Sequence, residues 1–139
     1  MQEQPKLQSR TKRPLSDVTV LDFGQIFQGP YASFLLAKAG AFVIKIEPPR
    51  GEPGRRRAEP GKSATLPFAM LNQNKNAITL NLKHERGRDL LFRMVERADV
   101  LLENFSPGTM DDLGVGWRRL HELNPRLIYA SGRPRAFRD

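Results

Sequence analysis

Apolar positions along the chain alternate between two spacings. Val18-Thr19-Val20-Leu21, Phe42-Val43-Ile44-Lys45-Ile46, Ala77-Ile78-Thr79-Leu80-Asn81-Leu82, Val100-Leu101-Leu102 and Leu127-Ile128-Tyr129-Ala130 are short aliphatic or β-branched runs of strand length. Between the first two, Pro30 can open a helix, Phe34, Leu35 and Leu36 give it an apolar surface, and Gly40 can close it. After the third run, Leu90, Leu91, Met94, Val95 and Ala98 fall on one helical face, and a further helical segment spans Trp117 to Leu123. Strands alternating with helices predict an α/β fold, a parallel sheet with helices on both faces.

The pattern stops in three places. Residues 1–16 are polar, basic and Pro-bounded and are expected to be a disordered arm; residues 133–139 form a divergent basic tail. That leaves 17–132 as one domain. Inside it, the connection from Pro48 to Leu66 holds four prolines, three glycines and Arg55-Arg56-Arg57 without hydrophobic periodicity, and is expected to be a functional or mobile loop.

An open parallel sheet binds its ligands beyond the carboxyl ends of its strands. The segments expected there are Asp22 to Pro30, Glu47 to Gly51, Glu103 to Gly108 and Ser131 to Arg133. In the stretch Leu-Leu-Glu-Asn-Phe-Ser-Pro-Gly, Asn104 can contact a ligand through its amide and Phe105 can cover an apolar part of it; equally, Asn104 can end the strand and Phe105 plug the core. Asp22, Glu47 and Glu103 also sit at strand ends, where hydrogen bonding or capping accounts for them. The triple arginine suits either a solvated loop or a phosphate. Common nucleotide signatures fail: Gly24 to Gly29 has the wrong spacing for a dinucleotide fingerprint, and Gly61-Lys62-Ser63 lacks the first glycine of a P-loop because Arg56 stands there. His84 and His121 have no acid at ligand spacing, so no metal site is expected.

Charge and composition narrow the class further. With 23 Lys and Arg against 15 Asp and Glu, the net charge of +8 favours anionic partners. The absence of cysteine excludes disulfides, thiolate metal sites and a Cys nucleophile. No apolar run has the length of a signal peptide or a membrane span, so a cytoplasmic protein without a membrane partner is expected. Basic residues are not interleaved with aromatics on a recognisable platform, so nucleic acid is not an expected partner.

Taken in order, several stretches resemble the N-terminal part of the family III CoA-transferases, the group of formyl-CoA transferase, carnitine CoA-transferase and α-methylacyl-CoA racemase. They are Val20-Leu21-Asp22-Phe23 leading to Gly29-Pro30, Gly40 to Glu47, Asn72-Gln73-Asn74-Lys75, Ala98 to Gly108, and Leu123 to Ile128. The resemblance implies a Rossmann-like CoA-binding half of a longer chain that pairs as an interlocked homodimer. It implies CoA or acyl-CoA as substrate, a carboxylic acid as its counterpart and no permanently bound cofactor. It places the loop after the first strand along the pantetheine and thioester, and it assigns CoA contacts to Gln25 and Ile26, to Asn74 and Lys75, and to Asn104 and Phe105. In this family an Asp carboxylate attacks the thioester; that Asp lies downstream of the matching stretch, so no catalytic residue is expected in this chain. The chain departs from the family pattern at Phe27, where a Gln is found, at Pro48, where an Arg is common, and at Asp112, where an Arg is expected.

Overall fold

The computed structural model describes residues 12–58 and 64–132. The five apolar runs form β1 (Thr19–Asp22), β2 (Phe42–Glu47), β3 (Asn76–Thr79), β4 (Val100–Glu103) and β5 (Ile128–Ser131). They hydrogen-bond in the order β3-β2-β1-β4-β5, every neighbouring pair parallel. This is the predicted Rossmann-like sheet. Its central strand, β1, is covered from both sides, and Val20, Leu21 and Asp22 have no exposed surface.

The helices are α1 (Gln28–Lys38), α2 (Pro53–Arg56), α3 (Leu66–Leu71), α4 (Glu85–Val95), α5 (Thr109–Asp112) and α6 (Trp117–Leu123). Because strand side chains alternate between faces, the sheet feeds two cores. Val20 and Val43 pack with Ala37 of α1 and with Ala41. On the other face, Leu21, Ile46 and Leu101 pack with Leu91 and Val95 of α4 and Leu120 of α6. Among the described residues no helix is long and apolar enough to cross a membrane.

Several boundaries differ from expectation, most of the strand ends by one residue and four segments by more. β3 ends at Thr79 rather than running to Leu82, although Leu80 N still donates to Glu47 O at 2.9 Å. Beyond Glu47 its partner strand continues into Pro48 and Pro49, which have no N–H to offer a ladder. α4 stops at Val95, and Ala98 is buried from the turn that follows. The Pro48-to-Leu66 connection is not wholly irregular, because Glu52 caps Pro53 at the start of α2 and accepts a hydrogen bond from Gly54 N. Within the expected arm, Leu15 N donates to Ala39 O at 3.0 Å and its side chain packs on the α1 core, so residues 12–16 belong to the fold. Residues 1–11 and the tail 133–139 lie outside the described residues.

Candidate functional site

In the sheet order the chain turns back on itself between β1 and β4, the place where an open α/β sheet leaves a crevice. The loop leaving β1 there is held by side chains from several elements. Phe23 N continues the ladder to Leu102 O at 2.8 Å. Gly24 N donates to Asp22 Oδ1 at 2.7 Å, and Gly24 O accepts from Lys45 Nζ at 2.7 Å. Gln25 N donates to Asn104 Oδ1 at 2.7 Å while Asn104 Nδ2 donates to Gln25 O at 3.0 Å, so the β4 side chain replaces the next rung of the ladder. Ile26 N donates to Glu52 Oε2 at 3.1 Å. Phe27 N closes a three-residue turn on Gln25 O at 2.9 Å with Ile26 at φ 63, a left-handed value a β-branched residue rarely adopts. The turn then meets α1 backbone to backbone: a Cβ on Gly24 would lie 2.6 Å from the carbonyl carbon of Gly29.

Beneath the turn is a buried charge cluster. Asp22 Oδ2 accepts from Ser33 Oγ at 2.6 Å and from Lys75 Nζ at 3.0 Å, with Lys45 Nζ 4.0 Å away. Lys75 Nζ also reaches Pro30 O, Ser33 Oγ and Asn72 Oδ1 at 2.8 to 2.9 Å. Burial pulls the Lys75 ammonium below the ordinary lysine range, and the Asp22 charge opposes this only in part.

A second ionic group organises the β2 side. Arg55 donates from Nε to Glu47 Oε2 at 2.9 Å and from its terminal nitrogen to Oε1 at 2.8 Å, a bidentate pair. Its guanidinium lies 4.2 Å from the Phe68 ring centroid. Burial works to raise the Glu47 pKa, but the Arg55 hydrogen bond, the Glu52 amide at 3.1 Å and nearby positive charge outweigh it and hold the carboxyl below the usual range. Between these strand ends opens a cleft of about 670 Å³, a ligand-sized volume. Phe23, Ile46, Leu82 and Phe105 supply apolar wall, with Phe23 and Phe105 edge to face at 6.3 Å. Arg50, Arg56 and Lys83, all exposed, bring positive charge to it. Among the described residues no three His, Cys, Asp or Glu come together to hold a metal ion.

The sequence profile of CoA-transferase family III matches residues 15–133. The chain belongs to that family. It is 46% identical over 123 residues to a formyl-CoA:oxalate CoA-transferase of Streptomyces coelicolor, a match covering 87% of this chain and 30% of the relative. A succinyl-CoA–D-citramalate CoA-transferase of Chloroflexus aurantiacus is 47% identical over 124 residues, covering 86% of this chain and 30% of the relative. Among solved structures, a CAIB/BAIF family protein from Brucella suis superposes with a TM-score of 0.81 at 35% identity, over 87% of this chain and 33% of the other. The chain thus spans about a third of the length of the relatives it matches.

Of the six residues singled out for the family III site, Gln25, Ile26, Asn104 and Phe105 gather where β1 and β4 end, and Asn74 and Lys75 do not line the cleft. Gln25 and Phe105 line the cleft. Ile26 is 43% exposed at the tip of the strained turn. The Asn104 amide is engaged by the Gln25 backbone, and the Lys75 ammonium is turned into the buried cluster with four oxygen partners. Asn74 is exposed at φ 62 just before β3 and does not line the cleft. Three residues of the network escaped sequence reasoning. Lys45 was detectable, as a lysine interrupting the apolar run of β2. Ser33 and Glu52 gave no signal, because their partners lie 11 and 26 positions away in sequence.

Proposed function

We propose that this chain is the coenzyme-binding part of an enzyme that moves CoA between an acyl-CoA and a carboxylic acid. One observation carries the reading: an apolar cleft with basic side chains at its mouth lies at the sheet's switch point, beside a turn whose backbone is pinned from three sides. The apolar wall suits an adenine ring, the arginines and Lys83 suit phosphates, and the pinned turn offers the pantetheine arm a fixed edge. Gln25, Ile26 and Phe105 are the contact residues in this reading. Asn104 and Lys75 hold the loop that contacts, and Asn74 marks the turn that delivers Lys75 to it.

Acyl transfer through a mixed anhydride needs a carboxylate free to attack the thioester. Asp22, Glu47 and Glu103 are each at least 95% buried; Asp22 accepts from Ser33 and Lys75, Glu47 from Arg55, and, among the described residues, Glu103 through Oε2 alone from Phe105 N. In this reading the nucleophile is the Asp that the resemblance places downstream of the matched stretch. The test is a calorimetric titration of the chain with CoA and with 3′-dephospho-CoA, alongside Phe105→Ala and the double variant Arg50→Ala, Arg56→Ala. Phe105→Ala is expected to weaken both ligands about tenfold, the size of one buried aromatic contact. The double arginine variant should weaken binding with a reduced salt dependence. Identical isotherms for all three proteins would remove the cleft from the site.

A further inference from the structure

Ile26 carries the most constrained non-glycine backbone of the β1–α1 loop, and a carboxylate from another loop holds its amide. Glu52 is 2% exposed, and its Oε2 accepts both from Gly54 N at 3.0 Å and from Ile26 N at 3.1 Å. Its own N–H is fixed on Glu47 Oε2, which Arg55 clamps in turn. Its second oxygen, Oε1, is buried with no hydrogen-bond partner among the described residues. A buried carboxylate with one oxygen unsatisfied is an unfavourable way to cap a four-residue helix such as α2. Asp, Asn or Ser caps a helix as well or better from a shorter side chain. Only the extra methylene of glutamate accounts for the second contact, across the loop to Ile26.

We propose that Glu52 is a positioning residue that holds the Ile26 turn in its ligand-ready shape. It does not line the cleft; it acts through Ile26, whose side chain is exposed and whose neighbour Gln25 lines the cleft. The Pro- and Gly-rich connection after β2 thereby sets the geometry of the loop after β1. The ligand part of this inference rests on the CoA reading of the cleft; the contact between Glu52 and Ile26 does not.

Two variants separate positioning from capping. Glu52→Asp keeps the charge and the α2 cap but cannot span to Ile26, whereas Glu52→Gln keeps the reach and an acceptor oxygen. Amide hydrogen exchange by NMR on the 139-residue chain reads the contact directly, and a CoA titration reads its consequence. In Glu52→Asp, exchange at Ile26 and Phe27 should accelerate about tenfold or more, with Leu21 and Val43 in the sheet unchanged, and CoA should bind about fivefold to tenfold more weakly. Glu52→Gln should recover much of both. Unchanged exchange at Ile26 in Glu52→Asp, or loss of protection spread evenly over the sheet, would overturn the positioning role. So would unaltered CoA affinity in a variant whose Ile26 amide has been freed. Failure of the wild type to bind CoA would instead overturn the reading of the cleft and the ligand half of the inference, while the exchange pattern still decides whether Glu52 fixes the turn.

Discussion

Asn104 shows what a single residue type can and cannot announce. A polar residue at the end of an apolar strand was visible in the sequence as a choice between contacting a ligand and closing the strand. The structure gives its amide both a donor and an acceptor on the Gln25 backbone, so it closes the strand in a way that shapes the ligand loop. Lys75 is the harder case, since nothing in its neighbourhood in sequence marks it for burial; its partners Asp22 and Ser33 are 53 and 42 positions away. That burial has a consequence for pH. The Lys75 pKa lies below the ordinary 10.5 in the folded chain, so between the two values the unfolded chain holds more protons than the folded one. Stability therefore rises with pH through that window, with a slope of at most about 1.4 kcal/mol per pH unit, and below it the charged lysine is a constant burden. Urea midpoints measured from pH 7 upward should climb in the wild type relative to Lys75→Met, which has no proton to lose. Parallel curves for the two proteins would show that Lys75 is not desolvated as described.

Elements were legible where periodicity is strong and blurred where geometry is local. All five strands and α4 follow from spacing, because burying two sheet faces demands it; α1 was legible only from Pro30, Gly40 and its apolar residues, and it buries Ser33 and Ala37 while Leu35 is 49% exposed. The end of β3 and the presence of α2 do not, since they depend on which residue stands opposite and on a cap made by Glu52, an unfavoured residue at that position. The junction of β1 with α1 belongs to the same class. Gly29 sits in the first turn of α1, where helix propensity alone makes Gly→Ala stabilising by about 1 kcal/mol. In place, however, a Cβ there would stand 2.5 Å from Gly24 Cα and 3.1 Å from Asn104 Oδ1, and the first of these is backbone that the pinned loop cannot move. Overpacking of this kind costs about 1 to 3 kcal/mol, so sterics should win over propensity. Gly29→Ala is expected to lower the thermal midpoint by several degrees and to weaken CoA binding in parallel. A more stable variant would mean that the loop yields and that the close approach of the two glycines is incidental.

At the scale of the whole molecule, exposed apolar surface among the described residues is concentrated on α1 and α3. On α1 and its N-cap, Phe27, Tyr31 and Leu35 are 63%, 51% and 49% exposed at a spacing of four, which aligns them on one side. On α3, which packs beside α1, Leu66 and Met70 are 74% and 55% exposed at the same spacing. Among the described strands the sheet ends at β3 and β5, and Ile128 of β5 is 63% exposed. Relatives are about three times the length matched here, so in them such surfaces have other chain available to cover them. For the 139-residue chain by itself, a second copy is the available cover. The net charge of +8 opposes that contact, and salt screens it. Sedimentation velocity should therefore show association that grows with concentration and strengthens as salt is raised, the reverse of what a salt bridge would give. Tyr31→Glu with Leu35→Glu should suppress it about tenfold or more, since each places a charge on the α1 stripe without touching the core. A single monomeric boundary at high concentration and high salt, or association indifferent to the double substitution, would show that this face is not what brings the copies together.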